Sequence, residues 1–204
     1  MVSRRIVSFA LILAGVVLCA LAGLHYLRGF EAQRQARLVF KKTLETASVA
    51  PPLSAIPAGK ALARASSPQG QPIARLRIPS AQIDVIVLEG SDAEVLEKGP
   101  GHVQGTELPG GHRGLNNCVI TAHRDSHFRN LGWVRNGERI ELTTPRGLER
   151  YRVVSREVVD AGAVGVLAAT ATPRLTLITC YPFSFIGHAP KRLVVIAEPE
   201  PPSP

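Results

Sequence analysis

Aromatic residues are scarce in this chain: 5% of 204 positions, with a single Trp and a single Met. The apolar 45% is therefore mostly Ala, Val, Leu and Ile, enough for a packed core and too much for a disordered chain. Cysteine occurs three times, at Cys19, Cys118 and Cys180. That is too few for a disulfide scaffold, and no C-x-x-C pair exists for a zinc knuckle or a redox motif. No G-x-x-x-x-G-K-[ST] run is present, which excludes a P-loop nucleotidase. Acidic residues are sparse at the start: residues 1–70 carry nine Lys/Arg against two Asp/Glu, while 71–204 carry 15 against 14. The net charge of +8 thus belongs to the N-terminal segment. It suits a stretch facing anionic lipid and argues against a nucleic-acid partner.

Long hydrophobic runs are absent except one. Arg4 and Arg5 precede Ile6 to Leu24, nineteen residues without a charge. At about 1.5 Å per residue the run spans about 28 Å, close to the thickness of a bilayer core. It is long for a signal-peptide core, and HYLRGFEAQ after it does not resemble a cleavage site. The expectation is an uncleaved transmembrane anchor within residues 1–27, with Cys19 as a lipid-facing or packing residue. Charges flank both sides, and a bare positive-inside count places the C-terminal part in the cytoplasm. Residues 28–46 have helical spacing without breakers. Residues 47–72, rich in Pro, Ala and Ser, read as a semi-extended spacer, so the juxtamembrane region runs over 28–72.

The texture changes from Ile73. IARLRIP, IDVIVLEG, NNCVITAHR, ERIELTT, ERYRVVSREVVD, RLTLITC and RLVVIAE are short, β-branched and bounded by Gly, Pro or Asn. TPRG marks a hairpin turn. SDAEVLEK reads as a short helix capped by Ser91 with Glu94 completing a capping box, and HFRNLGWV as a further helical turn. Seven or eight short strands with little helix, over 73–204, predict a mostly β fold: a closed or nearly closed barrel.

Three chemical groups sit at strand ends. Cys180 closes RLTLITC just before Tyr181-Pro182, where the missing N–H of proline stops pairing. His123 closes NNCVITAH, and Arg192 opens RLVVIAE. A thiolate can attack a carbonyl, an imidazolium can protonate a leaving amine, and a guanidinium can bind developing negative charge. Both cations also favour the thiolate. Composition and spacing alone leave Cys180 open between a nucleophile and a packing residue, and an Arg at a strand start is commonly a solvated charge. Cys118, early in its strand, reads as core; a Cys118–Cys180 disulfide stays open. His127 is the rival base. His102 and His112 fall in a Gly/Pro-rich loop, His188 in another, and His25 at the membrane edge. The Gly-rich loop 99–114 is the candidate lid.

The stretch TAHRDSHFRNL, the block TLITCYPF and the strand APKRLVV, in that order, resemble the sortases, the cysteine transpeptidases of bacterial surfaces. With VLEGSDAEVLEKGPGHVQGTELPGGHRG, the likeness is greatest to the class D group and covers about residues 73–198. One departure is Ala122, where related sequences usually carry Gly. The resemblance implies an eight-stranded β-barrel with His123, Cys180 and Arg192 as the catalytic residues; some sortases use bound calcium, but the acidic residues near these strands are scattered with no cluster of oxygen ligands, so no metal and no cofactor is expected. It implies cleavage of an LPxTG-like sorting signal of a secreted protein through a thioacyl enzyme, resolved by an amine of the envelope or of a protein subunit. It also implies a single-pass membrane protein working on the outer face, against the charge count above. Two other readings stay open. One is a different Cys/His enzyme, although His before Cys is not the papain order. The other is a non-catalytic, membrane-tethered β-domain that binds an envelope partner.

Overall fold

The computed structural model describes residues 2–49, 67–111, 114–184 and 187–201, apart from a few side chains in the first helix. A long helix, α1 (Val2–Val49), precedes a β-barrel. The barrel strands are β1 (Pro72–Ile78), β2 (Ile83–Glu89), β3 (Gly101–His102), β4 (Asn117–Thr121), β5 (Arg139–Thr144), β6 (Gly147–Asp160), β7 (Arg174–Tyr181) and β8 (Lys191–Pro199). They close in the order β1-β2-β3-β4-β7-β8-β6-β5. The β2–β3 and β4–β7 pairs are parallel and the others antiparallel. The β5–β6 hairpin turns at Pro145-Arg146, as TPRG predicts.

Alternation along each strand decides what fills the barrel. Leu76, Ile78, Ile120, Leu142, Leu177 and Val195 point inward with Phe128 and Leu131, and all are fully buried. The residues between them face outward, and two outer patches are apolar. On β2, Ile86 and Leu88 pack with Val95 of a short helix α2 (Ala93–Lys98) and with Ala36 and Phe40 of α1. On β4, β7 and β8, Val119, Ile178 and Val194 form the second patch.

The first patch ties α1 to the barrel. Gln33 is buried, and its carboxamide acts as a stand-in strand: Oε1 accepts from Ile86 N–H at 2.8 Å, and Nε2 donates to Ile86 O at 3.1 Å and Lys98 O at 3.0 Å. A side chain at Gly99 would collide with that carboxamide. Arg37 donates to Asp84, which also takes a bidentate pair from Arg75 at 2.8 and 2.6 Å.

Several expectations change. Asp92, not Ser91, caps α2, its carboxylate accepting from Val95 N–H at 2.8 Å; Glu94 pairs with Lys98 instead of completing a capping box. The strand β3 has only two residues and no apolar run to announce it. His102 in β3 is buried, Nδ1 lying 3.0 Å from Glu89 Oε2 and Nε2 2.9 Å from Glu107 O. Among the described residues no helix is long and apolar enough to cross a membrane. Most of the spacer, and His112, lie outside the described residues.

Candidate active site

The strands β4, β7 and β8 are neighbours, and the three groups singled out in the sequence stand at one end of them. Cys180 is the direct cross-strand partner of Arg192. The parallel β4–β7 ladder runs to Thr121↔Ile178. Beyond it Ala122 N–H donates to Ile178 O at 3.2 Å, and Thr179 Oγ1 donates to Ala122 O at 2.7 Å. His123 follows directly on Ala122, two residues past the end of β4. The guanidinium is thus the thiol's cross-strand neighbour on β8.

Alternation also fixes the face. Cys118, Ile120 and Ala122 belong to the interior, as do Leu175, Leu177, Leu193 and Val195. Cys180 and Arg192 fall on the intervening strand positions and share the outer face with Val119, Ile178 and Val194. His123 is exposed; Cys180 and Arg192 are half-buried. The thiol is thus held at the surface of a rigid ladder rather than on a mobile loop. Ala122, with its side chain in the core, shows why a small residue precedes His123.

Arg192 Nη1 donates to Ala189 O at 3.0 Å and to Lys191 O at 2.9 Å. This holds the guanidinium at the rim while its remaining donors form no hydrogen bond among the described residues. Facing it, the segment between β6 and β7 lies over the outer patch, with Val166 and Leu167 against Ile178 and Val194. Asn117 holds that segment down: Nδ2 donates to Val166 O at 3.0 Å and Ala168 O at 2.8 Å, while Oδ1 accepts from Thr176 Oγ1 at 2.7 Å. Nothing in the local sequence marks Asn117 for this role, because all three partners are distant in the chain.

The other candidates separate from the site. Cys118 is a free, buried thiol on the inner face, and burial, reinforced by Glu149, Glu107 and Glu89, pushes its ionisation far up. Cys180 is also free, and the two thiols point to opposite sides of the barrel wall. His127 lies four residues past His123, outside the register with Cys180. Burial, then the neighbouring His123, lowers its pKa. The Gly-rich loop is not a lid. Glu107 N–H donates to Asn117 O, and Arg146 Nη1 to Gly110 O, which packs residues 107–110 at the far end of β4 and β5 from Cys180.

A closed barrel presenting a thiol paired with a guanidinium on its outer face, with an imidazole just past the end of the neighbouring strand, is the framework of a cysteine transpeptidase. The Sortase domain model matches residues 76–200, and the chain belongs to the sortase family. It is 28% identical to Sortase D of Bacillus subtilis (strain 168) over 197 residues, 94% of this chain and 96% of that protein. Among solved structures it is similar to a Clostridium perfringens Sortase D5 transpeptidase, with 25% identity and TM-score 0.62 over 80% of this chain and 99% of the other. It is also similar to Sortase A from Corynebacterium diphtheriae, lid mutant, with 28% identity and TM-score 0.62 over 82% and 97%.

Proposed function

We propose that this sortase cleaves an LPxTG-like sorting signal of secreted proteins, with Cys180, His123 and Arg192 as its catalytic residues. The Cys180 thiolate attacks the scissile carbonyl; the guanidinium of Arg192 stabilises the oxyanion that forms; the imidazolium of His123 protonates the departing amine. The C–N bond breaks, the C-terminal tail leaves, and a thioester remains on Cys180. An amine then attacks that carbonyl, His123 takes its proton, and the C–S bond breaks to restore the thiolate. The observation that carries this reading is the Cys180↔Arg192 pair on the outer face.

The run Ile6–Leu24 anchors the chain in this proposal, with residues 28–204 on the extracytoplasmic side. In support, its described apolar side chains are exposed along α1, Phe9 at 78%, and none belongs to a packed cluster. Fractionation of cells, with protease added outside intact membranes, tests this: recovery of the chain in the soluble fraction rejects the anchor. Incubating the full chain in detergent with an LPxTG-type peptide, with and without an added amine, tests the reaction. Tail release with an amine-linked product is expected; no tail release rejects the proposal.

A further inference from the structure

A second concavity, apart from the outer patch, lies where α1 meets the barrel, with a volume of about 810 Å³. One wall is α1, from Gly29 to Arg37; the others are the end of α2 and the loop after β4, residues 123–129. The contacts of Gln33, Ala36 and Phe40 with β2 hold the helix wall in place. The volume falls in the range of about 300–1,000 Å³ usual for small-molecule sites. Cys180 and Arg192 do not line it, so the chemistry proposed above leaves it without a role.

Two independent observations point to its occupant. The first is charge. Arg34 on α1 and Arg129 on the loop line the cavity, and neither guanidinium has an ion pair or a side-chain hydrogen bond among the described residues. Glu97 and Asp125 line it too, and neither carboxylate has an ion-pair partner there. Arg37 and Asp84, by contrast, neutralise each other. Free groups of both signs complement a ligand that carries an anion and an ammonium.

The second observation is an apolar track on α1. Leu24, Leu27 and Phe30 follow one another at three-residue spacing, which makes them neighbours on the helix surface. All three are exposed, Phe30 at 67%. Phe30 also lines the cavity. The track therefore leads from the end of the run Ile6–Leu24 to the cavity wall, and the barrel leaves it uncovered.

Helix rise sets the heights. Gly29 stands about 7.5 Å and Arg34 about 15 Å beyond Leu24 along the axis. The headgroup layer on each side of a bilayer core is about 5–8 Å deep. The lower rim of the cavity is therefore at the outer edge of that layer, and helical side chains such as Arg34 lean back toward the N-terminus, here the membrane side. Resting on the membrane anchor proposed above, we infer that this cavity binds one phospholipid of the surrounding bilayer, its phosphodiester on Arg34 and Arg129 and its acyl chains along Phe30, Leu27 and Leu24. Glu97 and Asp125 favour a headgroup that bears a primary ammonium, of the phosphatidylethanolamine kind. A lipid held in this way ties the loop that begins at His123 to the anchor helix.

The test uses the full chain in detergent and the short-chain lipid dihexanoylphosphatidylethanolamine, with bound lipid counted by native mass spectrometry. One adduct is expected on the wild type. Arg34→Gln and Arg129→Gln each raise its dissociation constant about ten-fold, the loss expected for one charge-assisted hydrogen bond. Both side chains are exposed, so the fold is kept. Arg28→Gln removes a basic side chain of α1 that does not line the cavity, and leaves the constant unchanged. Glu97→Gln weakens the ethanolamine lipid and spares dihexanoylphosphatidylglycerol, which has no ammonium. Equal constants for wild type and both cavity variants, or an equal rise in Arg28→Gln, overturn the site. Equal effects of Glu97→Gln on the two lipids overturn the choice of headgroup, and displacement by equimolar inorganic phosphate overturns the lipid. The anchor fails separately: a chain recovered in the soluble fraction without detergent removes the membrane reading and the lipid site with it, whereas unchanged constants in a membrane-bound chain remove the lipid site alone.

Discussion

Cys180 and Arg192 face each other across the β7–β8 ladder, on the side of the sheet away from the core. Because a one-residue slip would send either side chain inward, the antiparallel register itself sets the relation between thiol and guanidinium.

The two barrel thiols should differ in reactivity. Under native conditions iodoacetamide is expected to label Cys180 and to leave Cys118 untouched, since Cys118 is buried and its ionisation is pushed up. Peptide mapping by mass spectrometry reads this directly. Cys180→Ala should abolish tail release while the melting temperature holds; a variant that still releases the tail would remove Cys180 as nucleophile.

Arg192→Lys keeps a positive charge and loses the planar fork. Its kcat/KM for tail release should fall about 10²–10³-fold, the range for removing one donor to a developing oxyanion. Unchanged circular dichroism would assign the loss to chemistry. Wild-type turnover would take Arg192 out of the site.

Gln33→Ala leaves Ile86 N–H, Ile86 O and Lys98 O without their partner under α1. The expected cost is about 1–3 kcal/mol, read as a lower urea midpoint. Limited proteolysis should cut the variant faster between α1 and β1 than it cuts wild type. A midpoint equal to wild type would mean that α1 is not docked through this residue.

Asp84 carries the pH prediction. The hydrogen bonds from Arg75 hold its carboxyl below the usual carboxylate range, and the charges of Arg37 and Arg75 act in the same direction. A lowered folded-state value means that the contribution is complete above the unfolded value of about 3.9 and drains away as pH falls through the folded one. Wild type should therefore lose stability below about pH 4 more steeply than Asp84→Asn. All three side chains are more than a third exposed, so added salt should shrink the difference. Parallel acid limbs for the two proteins would show that the cluster contributes nothing.

Strand positions were legible where the apolar residues alternate or run together, and seven of the strands follow such runs. The strand β3 was not, because two residues paired to distant partners leave no local pattern. The α2 cap was misplaced by one residue since Ser91 and Asp92 are both good caps, and only the backbone geometry chooses between them. Placing a lid on loop 99–114 took glycine content as mobility, whereas contacts with Asn117 and Arg146 hold that loop at the other end of the barrel.

By itself the sequence marked which groups could do chemistry and put Cys180 near the end of one strand and Arg192 near the start of another, because proline and β-branched residues act locally on the backbone; His123 it placed at a strand end, whereas β4 stops at Thr121. It also isolated the apolar run and the basic segment after it. Tertiary structure alone decided that Cys180 faces out and Cys118 faces in, that Arg192 is the cross-strand neighbour, and that α1 closes a second cavity beside His123. Those relations depend on register and closure between segments far apart in the chain, and a pairing of that kind leaves its mark only on the partner strand.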